Sequence, residues 1–81
     1  MSNGHLPPVK PKKLIKALAK IGIVPVRYSK GSHVQLAGNH KGQYRHTTVS
    51  LHGGGLPLGT LKGILTDCGL TREEFFRLLE G

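Results

Sequence analysis

From Pro11 onward the apolar residues Leu14, Ile15, Leu18 and Ile21 fall at i, i+1, i+4 and i+7, one stripe of an amphipathic helix. Lys12, Lys13, Lys16 and Lys20 fill the remaining positions. Pro11 suits the first turn, where its missing N–H costs nothing, and Gly22 suits a left-handed stop. The period then drops to two. Ile23 to Ser29 is β-branched and aromatic but contains Pro25, which predicts an edge strand or a strand start. Lys30-Gly31-Ser32 reads as a tight turn, and Val34 and Leu36 alternate with His33 and Gln35 as a half-buried strand. Residues 38–42, Gly-Asn-His-Lys-Gly, predict a hairpin loop. A third strand follows from Tyr44 to His52. Arg45, Thr47, Val49 and Leu51 share one face of it, and Tyr44, His46, Thr48, Ser50 and His52 share the other.

Three glycines, Gly53 to Gly55, and then Pro57 end the strand pattern. Leu58, Leu61, Ile64, Leu65 and Cys68 resume the helical stripe, and Gly69 stops it. Thr71-Arg72-Glu73-Glu74 has the spacing of a capping box, opening a short last helix whose apolar face is Phe75, Phe76, Leu78 and Leu79. The order is α-β-β-β-α with a short extra C-terminal helix, an α+β fold. Consecutive strands on short loops make an antiparallel sheet of three strands, and the helices cover its one apolar face. The other face stays wet. Residues 1–9, polar with paired prolines, predict a flexible N-terminal arm, and residues 10–81 a single domain.

Charge sharpens this picture. The chain has 81 residues, 12 Lys or Arg, 4 Asp or Glu and a net charge of +8. All the carboxylates, Asp67, Glu73, Glu74 and Glu80, lie in the last fifteen residues. A surface so one-sided attracts a polyanion, and a phosphate backbone is the commonest one. Chemistry in the basic region must then proceed without a carboxylate base or a carboxylate-held metal, which excludes Ser/His/Asp hydrolase triads. Cys68 stands alone, so no intrachain disulfide forms and a cytoplasmic location fits. No apolar run reaches the length of a membrane span.

Histidine is the remaining proton carrier. His33 opens the second strand directly after the basic glycine turn. Gly31 lets a phosphate approach the backbone, Lys30 and Ser32 can donate to it, and Arg27 lies nearby on the preceding strand. An imidazole there can transfer protons in RNA cleavage, in which a ribose 2′-hydroxyl attacks the adjacent phosphorus. On periodicity alone, an ordinary solvated strand residue is the simpler explanation of His33. His52, on the same predicted strand face as His46, is a second acid/base candidate, with a loop-entry histidine as its plain alternative. His46 and His52 fall short of the ligands of a closed zinc site, so neither metal nor cofactor is expected.

Taken together, the helix ending at Gly22, Lys30-Gly31-Ser32-His33, Thr48-Val49-Ser50-Leu51-His52, the Gly59-Thr60-Leu61 to Ile64-Leu65 helix and Cys68-Gly69-Leu70-Thr71 through Phe75 resemble the HicA (YcfA-like) toxins over about residues 10 to 80. The resemblance implies a fold similar to double-stranded-RNA-binding domains. It implies an mRNA interferase in which the histidine of the Gly-Ser-His turn, here His33, is essential. It also implies a HicB-like antitoxin that covers the active site, and a free chain that is a monomer or weak oligomer. Two other readings share the basic surface: a non-catalytic RNA-binding module of similar fold, and a chain whose basic face meets an acidic protein subunit.

Overall fold

In the computed structural model, residues 9–29, 31–52 and 54–80 are described. Of the expected arm over residues 1–9, all but Val9 lies outside them, as does Lys30. The elements run α1 (Pro11–Ala19), β1 (Val24–Ser29), β2 (His33–His40), β3 (Gln43–Ser50), α2 (Leu58–Cys68) and α3 (Arg72–Glu80). The strands form one antiparallel sheet in the order β1-β2-β3. This is the α+β arrangement that the periodicity predicts.

Alternation decides which side of the sheet is covered. Val34, Leu36, Thr47 and Val49 point to the helical side and are buried. Leu14 and Leu18 of α1, Leu61, Ile64, Leu65 and Cys68 of α2, and Phe75 of α3 pack on them in one core. Ile15 and Ile21, the outer members of the α1 stripe, are partly buried against its edge. Val9 belongs to this core as well, 4% exposed, with its carbonyl accepting from the Leu56 amide at 2.9 Å.

The first two helices stop by the same device. After α1, Ile23 N–H donates to the Leu18 carbonyl and Gly22 N–H to the Ala19 carbonyl, with Gly22 at φ +86°. After α2, Leu70 N–H donates to Leu65 and Gly69 N–H to Thr66, with Gly69 at φ +72°. This paired pattern satisfies the last carbonyls and needs a left-handed residue, which glycine supplies. At the start of α3 the capping box forms as predicted. Thr71 Oγ accepts from the Glu74 amide at 3.1 Å, and Glu74 Oε1 accepts from the Thr71 amide at 2.8 Å.

Two expectations need correction. The loop predicted at Gly38 to Gly42 is only Lys41-Gly42, because β2 continues through Gly38 to His40, opposite Gln43. Lys41 at φ +56° and Gly42 at φ +75° make a two-residue turn whose twist matches the flanking strands. Gly38 is glycine for a tertiary reason: a β-carbon there would overlap the carbonyl of Gly22 in the turn after α1. Likewise, β3 ends at Ser50 rather than His52. There the chain leaves the sheet, and Leu51 N–H donates to the Ser32 carbonyl at 2.8 Å.

Since Gly38 faces backbone, which cannot rotate aside, Gly38→Ala should cost at least ~2 kcal/mol. For a domain of this size the melting midpoint should fall by roughly 10 °C. Thermal unfolding followed by circular dichroism checks this, and an unchanged midpoint would contradict the close approach.

Candidate functional site

The open face of the sheet carries the odd-numbered residues of β2 and the even-numbered residues of β3. Counting back from the turn pair His40 and Gln43 places Ser50 directly opposite His33. On the other side, His33 pairs with Ser29 of β1. The exposed imidazole of the predicted key residue thus stands between two hydroxyl-bearing neighbours, neither of which the sequence reading singled out. The hairpin register would have revealed both, once the turn was known to be Lys41-Gly42.

The turn before His33 is built for close approach. Gly31 at φ +77° and Ser32 at φ +67° are both left-handed, and a β-carbon on Gly31 would lie 3.5 Å from His33 Nδ1. The imidazole therefore leans back over a backbone with no side chain in the way. Ser32 is exposed, while its carbonyl anchors the turn to Leu51. Arg27 is exposed on β1, opposite Gln35 and two pairs inward from Ser29 and His33. Arg27, Gly31, Ser32 and His33 therefore gather at one end of the sheet.

His52 lies near this end but not in the His33 pair. It falls two residues past β3, exposed, and its amide donates to Ser50 Oγ at 3.3 Å. The histidine sharing the open face within β3 is His46, opposite Ala37. From sequence Lys12 belongs only to the polar face of α1, and Lys10 carries no assignment. In the fold they line a cavity of about 360 Å³ with Pro11, Leu51 and Gly54. The Leu56 amide, donating to the Val9 carbonyl, ties the residue before Lys10 to the loop after β3. No sequence signal short of the tertiary fold places these lysines beside the residue preceding His52.

The acidic groups are held elsewhere. Asp67 accepts from buried Thr47 Oγ at 2.9 Å on the helical side. Glu74 takes Lys41 Nζ at 2.8 Å as well as the Thr71 amide, and these contacts, the Lys41 hydrogen bond first, lower its pKa to about 2. Glu73 and Glu80 lie on α3. Among the described residues, none of the strand positions facing away from the helices is a carboxylate. No group of three or more His, Cys, Asp or Glu among them is arranged to hold a metal ion. Nor is any described helix long and apolar enough to cross a membrane.

Cys68 is fully buried under the sheet. Burial, and secondarily the neighbouring Asp67 charge, pushes its thiol up to about 11, against a smaller opposing influence from Arg45. It is a packing residue rather than a nucleophile. Two comparisons with known proteins bear on this geometry. A family model described as the HicA toxin of bacterial toxin–antitoxin systems matches residues 11–70, which contain the whole sheet, α1 and α2. A search of curated proteins returns no match.

Native protein at neutral pH should react with a thiol reagent at least ~100-fold more slowly than the unfolded chain, because thiolate is the reactive form. Labelling kinetics with and without denaturant measure this. Equal rates would place Cys68 outside the core.

Proposed function

The chain belongs to the HicA toxins of bacterial toxin–antitoxin systems, and from that premise we propose that it is a metal-independent endoribonuclease acting on mRNA. The observation that carries this reading is the position of His33. It stands exposed between Ser29 and Ser50, beside a left-handed Gly31-Ser32 turn, on a sheet face whose described strand residues include no carboxylate.

In this reading, the ribose 2′-oxygen attacks the adjacent phosphorus and the bond from phosphorus to the 5′-oxygen breaks. A proton leaves the 2′-hydroxyl and a proton reaches the 5′-oxygen, giving a 2′,3′-cyclic phosphate and a 5′-hydroxyl. His33 acts as the general acid or base in one of these transfers. The Gly31 and Ser32 amides, the Ser32 hydroxyl, Lys30 and Arg27 hold the phosphate and offset its extra negative charge. His52 is the second candidate proton carrier, since it adjoins the same end of the sheet. Lys10 and Lys12 extend the cationic border along which the RNA backbone runs.

The partners that follow are mRNA and a HicB-like antitoxin that neutralises the toxin by covering His33. The free chain acts in the cytoplasm as a monomer or weak oligomer, with no cofactor. Hydroxyls and backbone amides, rather than acidic ligands, surround His33. Cleavage of a defined single-stranded RNA should therefore persist in EDTA and fall by roughly 10²- to 10⁴-fold in His33→Ala. The circular dichroism of the variant should match wild type. RNA bound but left intact by the wild-type protein would favour the non-catalytic RNA-binding reading, and equal cleavage by both proteins would remove His33 from the mechanism.

A further inference from the structure

The open face changes character along its length. Nearest the Gly31-Ser32 turn are Ser29, His33 and Ser50, and the next row is Arg27, Gln35 and Thr48. The third row is Val24, Ala37 and His46, with Tyr44 following opposite Asn39. Hydroxyls and the imidazole thus give way to donors and acceptors, and these to apolar and aromatic side chains. At the third row an open groove of about 550 Å³ is lined by Val26, Gln35, Ala37, Tyr44, His46 and Thr48.

This end does not look like a sheet surface designed only for water. Tyr44 is 66% exposed and Val26 62% exposed, and neither belongs to the core. The Tyr44 and His46 rings lie 5.9 Å apart, tilted by 34°, and both residues are exposed. Val26 reaches the groove because the β1–β2 register shifts between Pro25 and Arg27, inserting one extra residue. A flat β1 would have given this row a different side chain.

We infer that Tyr44, His46 and Val26 form a base-stacking subsite for single-stranded RNA, on the same face as His33 and a few nucleotides away from it. This rests on the proposed ribonuclease reading and adds a substrate class to it. The four residue steps from His33 to Ala37 span ~13 Å, within reach of a short run of nucleotides. Unstacked bases are the usual targets of exposed aromatic side chains, and such stacking is tolerant of base identity. Gln35, Thr48 and Arg27, lying between, can bond base edges or phosphate. A duplex would keep its bases in their own stack, so the subsite selects single strands. An acidic protein partner would find a poorer match at this end, because its centre is a tyrosine, a histidine and a valine rather than a cluster of cations.

The test uses full-length protein and a single-stranded oligoribonucleotide carrying 2′-O-methyl groups throughout. These remove the attacking hydroxyl, so binding is measured whether or not the chain cleaves RNA. By fluorescence anisotropy, Tyr44→Ala should bind about tenfold more weakly than wild type, and His46→Ala should weaken binding in the same direction. Tyr44→Phe, which keeps the ring, should bind like wild type. On an oligonucleotide of the same length with abasic positions, the Tyr44→Ala deficit should vanish. Equal affinity of wild type and Tyr44→Ala, or the same deficit on the abasic strand, would overturn the subsite. If the open face serves a protein partner alone, the first of these results is expected. Failure of the ribonuclease reading looks different: RNA stays intact while the Tyr44 dependence of binding persists.

Discussion

A sheet of three strands has two faces, and this chain has helices enough for one. Val34, Leu36 and Val49 oblige α1, α2 and, through α1, α3 to gather on a single side. Everything else about the molecule follows from that allocation. The opposite face receives the alternate residues of the same strands, and these include His33, Arg27, Tyr44 and His46. The chemistry we propose is placed on this face, on rigid backbone. A catalytic side chain on a strand, with its neighbours set by register, is held more firmly than one on a loop.

Charge is sorted by the same division. The acidic residues come late in the chain, on α2 and α3; Asp67 meets Thr47 on the helical side, and Glu74 is taken up by Lys41 and the α3 capping box. Lys41 joins the two layers. From the β2–β3 turn its ammonium reaches both the Gly69 carbonyl, at 2.9 Å, and Glu74. One cation thus closes the end of α2 and fastens the start of α3, while the turn it sits in sets the register that places Ser50 beside His33. The open face is left to histidine, arginine and hydroxyl groups, a composition suited to an anionic chain.

Most of the architecture was legible from spacing alone. The α1 and α2 stripes, the period-two strands, the glycine stops and the Thr71/Glu74 capping box are local patterns, and local hydrogen bonds realise them. Gly38 was misread because a glycine flanked by Asn39 and His40 has the composition of a loop; its real constraint comes from Gly22, distant in sequence. β3 ends at Ser50 rather than His52 because its partner β2 begins only at His33, after the left-handed Gly31-Ser32 turn, a limit that no alternation pattern contains. His33 was legible through its turn and family resemblance. Its neighbours Ser29 and Ser50 were not, since they depend on register. The Lys10 and Lys12 border depends in turn on how α1 docks.

The account rests on a strand-borne histidine moving a proton while the RNA supplies its own nucleophile. The most direct measurement is the chemistry of the cut ends, read by mass spectrometry of fragments from a defined single-stranded RNA. Cyclic 2′,3′-phosphate and 5′-hydroxyl ends, with no cutting where the scissile nucleotide lacks its 2′-hydroxyl, are the predicted result. Fragments ending in 3′-hydroxyl and 5′-phosphate, formed equally well without that hydroxyl, would mean that water is the nucleophile and would contradict the account.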